Sequence, residues 1–336
     1  RWLYCAFNPN NNLRFGYHVA DEIRRRLITL WNVYGFFVTY AGIDGFDPSA
    51  EPVEETLGQS PNPLDRWILS DLYGTLEKVE RGLEEYDVAS SLRAADRFLE
   101  ALSTWYLRRS RRRFWKSSAD EDKAYAYRTL FHVLVTFSEM LAPFIPFVTE
   151  EIYRNLSGPR RASRKTGGAS AAGGAGAVDA EGFERWPESV HLRRWPEIRR
   201  DLVDTELNER MERVLSAVSL GRAAREKVQI KVRQPLGRMW VLSTDDRPLD
   251  FDPDLQSQIS QELNVKTVLL DGRAEDLVTR ELKLNFAALG QKLGPAMKGV
   301  SKAAREGAWE QRPDGTVAVA GHALEPGEYD LQYAGR

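Results

Sequence analysis

The sequence predicts a multidomain protein, an all-α helical bundle over residues 1–156 followed by small α+β modules toward its end. Three observations carry this. Its 336 residues exceed what one core usually organises. Apolar residues recur at three- and four-residue steps through the first 156 positions, then alternate by two after position 228. Between these regimes lies a stretch, 157–182, of mostly Gly, Ala, Ser and Arg with no apolar period. Such a stretch buries too little to offset its own ordering and reads as a flexible linker or disordered loop.

In chain order, Ala20, Ile23, Leu27, Leu30, Trp31, Tyr34 and Val38 form a buried stripe on a first long helix, stopped by Gly42-Ile43-Asp44-Gly45. A second helix starts at Pro63-Leu64 and runs through Trp67, Ile68, Leu72, Leu76 and Val79 to about Tyr86. A third carries Leu92, Ala95, Phe98, Leu99, Leu102 and Tyr106, and a fourth spans about Glu121–Leu141. Pro143 and Pro146 restart the chain into a short helix ending near Leu156. Residues 183–227 form a connecting segment and a long helix, and 228–336 the α+β modules. Val228, Ile230 and Val232 alternate with Gln229, Lys231 and Arg233, predicting a strand; Met239–Leu242 and Val265–Leu270 predict two more, with a helix at Leu255–Leu263. Thr316–Val319 and Asp330–Tyr333 are further strand candidates.

Composition excludes several classes. The formal net charge is -2, and 42% of residues are hydrophobic. The most apolar run, Leu130–Val148, is broken by Ser138, Glu139 and two prolines, so no membrane span is predicted. With no secretory signal pattern, a cytoplasmic location is expected. One cysteine, Cys5, excludes a disulfide scaffold and a cysteine zinc cluster. The chain opens at Arg1 in mid-pattern and reads as a piece of something longer.

No catalytic constellation emerges. His18, His132, His191 and His322 do not pair at metal-ligand spacing, and His132 lies in an apolar helix as a packed residue. Cys5 has no evident base. Neither a phosphate loop nor a dinucleotide fingerprint is present. Glu84–Glu85 and Glu150–Glu151 read as solvated charge on helical faces. Expected catalytic, cofactor-binding and metal residues are therefore none.

The strongest chemical feature is Trp105-Tyr106-Leu107-Arg108-Arg109-Ser110-Arg111-Arg112-Arg113-Phe114-Trp115-Lys116. Such a cluster can grip phosphates while aromatic rings stack on unpaired bases. The competing reading is a solvated helix end whose arginines favour the C-terminal dipole and pair with Asp120, Glu121 and Asp122. Phe114 and Trp115 either stack on a base or brace the helix from inside, with bracing favoured. Asn8-Pro9-Asn10-Asn11-Asn12 reads as a turn. Lys283, Asn285, Lys292 and Lys298 lie in an acid-free stretch, Lys283–Arg305, that predicts a basic face on a helical segment.

Several stretches, in order, resemble class I aminoacyl-tRNA synthetases, the isoleucyl branch above all. Pro63-Leu64-Asp65-Arg66-Trp67-Ile68-Leu69-Ser70 resembles the start of a helix in the anticodon-binding bundle, and the Trp105–Trp115 run resembles the isoleucyl arginine motif. Leu141-Ala142-Pro143-Phe144-Ile145-Pro146-Phe147, Ser189-Val190-His191-Leu192 with Trp195-Pro196, Ile230-Lys231-Val232-Arg233-Gln234-Pro235-Leu236, and Leu282-Lys283-Leu284-Asn285-Phe286 follow in the family's order. The resemblance implies a tRNA-binding C-terminal region that recognises the anticodon stem-loop of isoleucine tRNA. Arg108, Arg109, Arg111, Arg112, Arg113, Trp115, Lys283, Asn285, Lys292 and Lys298 would then meet RNA. It also implies that ATP and magnesium serve a catalytic domain whose motifs do not occur here, so the chain alone is expected to be inactive. It would work in cis with that domain, as part of a monomer. Two alternatives stay open: a structural module packed on the catalytic domain with little RNA affinity, which exposed apolar residues on Trp2–Phe15 would favour, and the equivalent region of a valyl or leucyl enzyme.

Overall fold

Helix-forming stripes, capped where the sequence changes character, account for most of the chain. The computed structural model describes residues 1–7, 16–51, 53–117, 120–165, 186–242, 250–270, 278–312 and 315–335. These fall into two compact units, Arg1–Met211 and Glu212–Arg336.

The first unit is helical: α1 Trp2–Ala6, α2 Tyr17–Asp44, α3 Val53–Thr56, α4 Pro63–Glu84, α5 Val88–Ala101, a π-helical stretch Leu102–Leu107, α6 Arg108–Trp115, α7 Glu121–Leu141 and α8 Pro146–Lys165. Helix α2 ends where Gly45 takes a left-handed φ of 69° and its N–H reaches the Ala41 carbonyl. Its buried residues are Leu30, Val33, Tyr34, Phe37 and Ala41, whereas Trp31 and Val38 are exposed. The expected stripe is thus rotated. An aromatic cluster decides the rotation, with Phe37 against Phe46, Tyr127 and Phe131, and Phe36 edge-on to Phe114 at 5.2 Å. Helices α4 and α5 approach closely at Gly82, where a methyl group would overlap Ser91 Oγ; that hydroxyl donates to the Val79 carbonyl at 3.0 Å. Helix α8 continues past Leu156, to Lys165. The rest of the expected linker, 166–182, lies outside the described residues, as does the Asn8–Asn12 turn.

The segment after residue 186 docks on the bundle through specific polar contacts. Glu150 accepts from Ser189 Oγ and the Val190 N–H, both at 2.9 Å, so it is a buttress and not merely solvated charge. Arg193 Nε donates to the buried Glu139 at 2.7 Å and stacks over Trp186. Burial pushes the Glu139 carboxyl up, and Arg193 pulls it back only in part. His132 is the expected packed residue, its Nε2 2.8 Å from Tyr73 OH. Helix α9, Thr205–Lys227, starts with Asp204 Oδ1 accepting from the Leu207 N–H, while Ser70 Oγ and the Asp204 backbone exchange hydrogen bonds.

In the second unit, β1 Leu236–Trp240 and β2 Val265–Leu269 pair in parallel across α10, Pro253–Leu263. Strand β3 Val278–Leu284 pairs antiparallel with β7 Tyr329–Gly335, and β4 Trp309–Gln311, β5 Val317–Val319 and β6 His322–Leu324 form an antiparallel meander. Helices α11 Phe286–Leu293 and α12 Met297–Arg305 close a core of Leu282, Leu289, Leu293, Val300, Ala304, Val317, Val319 and Leu324. The alternation at 228–233 is not a strand. Gln229 takes a φ of 56°, and the buried Arg225 binds the carbonyls of Lys231, Gln234 and Leu263, so the chain turns instead. Among the described residues no helix is long and apolar enough to cross a membrane.

One buried ion pair sets the register of the first unit. Asp65, in the first turn of α4, has no side-chain exposure and is gripped by both terminal nitrogens of Arg113 at 2.7 Å. Tyr106 OH and Ser60 Oγ also donate to it, at 2.8 and 2.6 Å. Removing one partner of such a pair strands a buried charge, so Asp65→Asn should cost about 3–5 kcal/mol in urea unfolding. Replacing both partners, Asp65→Leu with Arg113→Met, should recover most of that loss; a loss under about 1 kcal/mol in the single variant would refute the assignment.

Acid should act through two other carboxyls. Burial pushes Asp44 and Asp122 up, but hydrogen bonds from Lys123 and Tyr127, and from Arg113 and Lys116, hold them below the ordinary 3.8. A carboxyl lowered by folding binds fewer protons in the folded chain, so its contribution is complete above 3.8 and fades as pH falls through the lower folded value. Urea midpoints should drop from about pH 4 downward, and less steeply in Asp122→Asn.

Candidate RNA-binding surface

The arginine run divides along the helix that carries it. Ser110, Arg113 and Phe114 face inward, while Arg108, Arg111, Arg112 and Trp115 are exposed. Phe114 packs edge-on to Phe36 and Tyr127 and braces the helix. Trp115 does not brace; it is 56% exposed, at the last position of α6.

Arg113 is a fold residue in this arrangement. Besides Asp65 it meets the Asp122 carboxylate at 2.8 Å and the Asp122 carbonyl at 2.9 Å. Burial alone would lower it, but the hydrogen bonds and charge of Asp65 override that and raise it well above the ordinary arginine value. Lys116 pairs with Asp120 and Asp122 at 3.1 and 3.3 Å. Pairing with Asp120 and Asp122, expected of a helix end, is thus seen for Lys116 and in part for Arg113, but Arg113 is buried and not solvated, and Asp65 holds it from α4.

The remaining arginines have two kinds of support. The π-helical stretch places Trp105 inside the bundle, and the guanidiniums of Arg108 and Arg109 lie over its ring at 6.0 and 5.6 Å. Arg108 Nε also donates to the Thr104 carbonyl at 2.8 Å, so its planar head is held at a set position. Arg111 and Arg112 are exposed and pair with no carboxylate among the described residues. Together these form a cationic ridge with an indole at its end, a surface suited to phosphates.

The expected basic face at Lys283–Lys298 is not one helical face. Lys283 lies on β3 opposite Asp330; Asn285 caps α11, accepting from the Ala288 N–H at 3.4 Å and donating to the Gly327 carbonyl at 3.1 Å. Lys292 is tied to Glu328 at 2.7 Å, which raises the amine above its ordinary value. Lys298 lies exposed on α12. A strand and two helices replace the single helix because Leu282, Leu289, Leu293 and Val300 must all reach one core.

Sequence reasoning missed Asp65, Glu139, Arg193 and Arg225 as organising residues. Asp65 carried a legible signal, an acid in the first turn of a helix capped by Asn62. Glu139 and Arg193 meet across 54 residues, and Arg225 joins the nearby Lys231 and Gln234 carbonyls to that of Leu263, 38 residues on, a link that no local pattern reports. Of the apolar residues at the start of the chain, Trp2 and Leu3 are buried and Tyr4 and Phe7 exposed; 8–15 lie outside the described residues. No group of three or more His, Cys, Asp or Glu among the described residues could hold a metal ion.

The family model described as the anticodon-binding domain of tRNA ligase matches residues 65–239, which include Asp65, the arginine ridge and the docked segment. The chain is 41% identical over 273 residues to an isoleucine–tRNA ligase from Dehalococcoides mccartyi, covering 81% of this chain and 24% of that protein. It is 36% identical over 326 residues to that of Deinococcus radiodurans, covering 96% of this chain and 27% of the relative. Over 288 residues it is 36% identical to that of Treponema denticola. The chain thus spans about a quarter of the length of these relatives. The chain belongs to the family of tRNA-ligase anticodon-binding domains and is homologous to the anticodon-binding region of isoleucine–tRNA ligases.

Proposed function

We propose that this chain reads the anticodon stem-loop of isoleucine tRNA, on behalf of an enzyme that attaches isoleucine to that tRNA using ATP. The observation that carries the reading is the ridge of Arg108, Arg109, Arg111 and Arg112, of which Arg111 and Arg112 pair with no described carboxylate, within a family that binds anticodons. The identity of its relatives favours isoleucine over valine or leucine tRNA.

In this mechanism the arginines supply salt-dependent grip on the backbone, because each neutralised phosphate releases counterions. Trp115 offers a face to an unpaired base, and opened-out anticodon bases are discriminated by hydrogen bonding and stacking. Lys283 and Lys298 add cationic contacts from the C-terminal module, while Asn285 and Lys292 shape it. ATP and magnesium belong to the catalytic domain acting in cis, in the cytoplasm, and no step of their chemistry falls to residues of this chain.

Fluorescence anisotropy with isoleucine tRNA, beside the same tRNA carrying a swapped anticodon, tests the reading. Binding should weaken at least tenfold on the swap; equal binding to both would refute anticodon reading. Arg111→Gln with Arg112→Gln should weaken binding to both tRNAs and lower the salt slope by about one to two. The chain alone should show no aminoacylation turnover in a charging assay, and turnover would contradict the division of labour.

A further inference from the structure

The second unit carries an open groove of about 460 Å³, to whose lining the expected RNA contacts contribute Lys298 alone. Its lining combines Phe286 and Met297 with three cations, Lys298, Lys302 and Arg305, beside Ser301 and one acid, Glu306. Phe286 is 59% exposed at the first position of α11. An aromatic ring left in water at the mouth of a cationic groove has no packing role in the core formed by Leu289, Leu293 and Val300.

The charges are arranged in register. Lys298, Lys302 and Arg305 stand at i, i+4 and i+7 on α12 and so share one stripe, with Ser301 beside it. Lys298 and Arg305 pair with no carboxylate among the described residues, and Lys302 meets only the exposed Glu306, at 3.8 Å. Phe286 is held in place from behind. Asn285 caps its helix, donates to the Gly327 carbonyl at 3.1 Å, and through its own N–H donates to the Glu328 carbonyl at 2.9 Å. Lys292 then ties the same helix to the Glu328 carboxylate.

We propose that this groove binds an unpaired nucleotide of RNA, its base stacked on Phe286 and its flanking phosphates on Lys298, Lys302 and Arg305. Asn285 fixes the start of the helix that carries the ring. A stacked base must leave its own helix to reach Phe286, so the groove selects single strand over duplex. Any base offers a ring face, so the groove contributes affinity for an opened loop with little preference among bases. The proposal rests on reading the chain as an RNA binder and names a second point of contact for it.

The test is a titration of the whole chain with a labelled five-nucleotide single-stranded RNA and, separately, with a duplex of the same sequence. Phe286→Ala should weaken the single strand about tenfold, leave its salt slope unchanged and spare the duplex. Phe286→Trp should restore binding. Lys302→Gln with Arg305→Gln should lower the salt slope by about one. Unchanged circular dichroism checks the fold, which an exposed ring does not support. Arg111→Gln with Arg112→Gln is run beside these against whole tRNA. If Phe286→Ala changes nothing while that double variant weakens tRNA binding, the groove assignment is wrong and the anticodon reading stands. If neither matters, both fall. Equal loss of single strand and duplex in Phe286→Ala, or displacement of the RNA by an acidic peptide in wild type and Phe286→Ala alike, would also overturn the groove.

Discussion

A carboxylate without solvent exposure, at the start of α4, faces a guanidinium delivered by a helix that begins more than forty residues later. Neither charge is tolerable in that position without the other, so the α5–α6 rod can seat against α4 in only one register. Ser60, Tyr106 and Asp122 complete the site, and Phe114, one residue beyond Arg113, fills the aromatic cluster beside it. Such a pair adds little net stability over a well-packed apolar pair of the same shape. Its effect is geometric. With Arg113 turned inward, Arg111 and Arg112 must point outward, and the cationic ridge follows from the same constraint that closes the bundle.

The π-helical stretch ahead of α6 belongs to this arrangement. A widened turn shifts the phase of the residues that follow it, and π turns occur often beside functional positions. Here Trp105 packs into the bundle while lending its ring to Arg108 and Arg109. The ridge therefore contains arginines of two kinds, a pair oriented by an aromatic support and a pair extended into solvent. The second unit uses a related economy. Asn285 and Lys292 spend their polar groups on the turn before β7, and Phe286 and the α12 cations are left at the surface.

Periodicity made the bundle legible: Glu121–Leu141 and the Pro63 start of α4 were set by apolar spacing and caps that lie within the helices themselves. Where a neighbour decided the outcome, local pattern misled. The α2 stripe turned because Phe36 and Phe37 found aromatic partners on α6 and α7, and the alternation at 228–233 lost to Arg225, whose guanidinium takes up the carbonyls a strand would have used. At the ridge, composition identified the right dozen residues but could not separate Arg113 from Arg112. Adjacent positions on a helix point about a third of a turn apart, and only the location of Asp65 says which of them is inside.

Modification of arginines by phenylglyoxal, read by mass spectrometry with and without isoleucine tRNA, tests the split of the arginine run most directly. Arg111 and Arg112 should react in the free chain and be protected by the tRNA, while Arg113 stays unreactive in both. Reaction of Arg113 at the rate of Arg111, or no protection of Arg111 and Arg112 by saturating tRNA, would contradict the account.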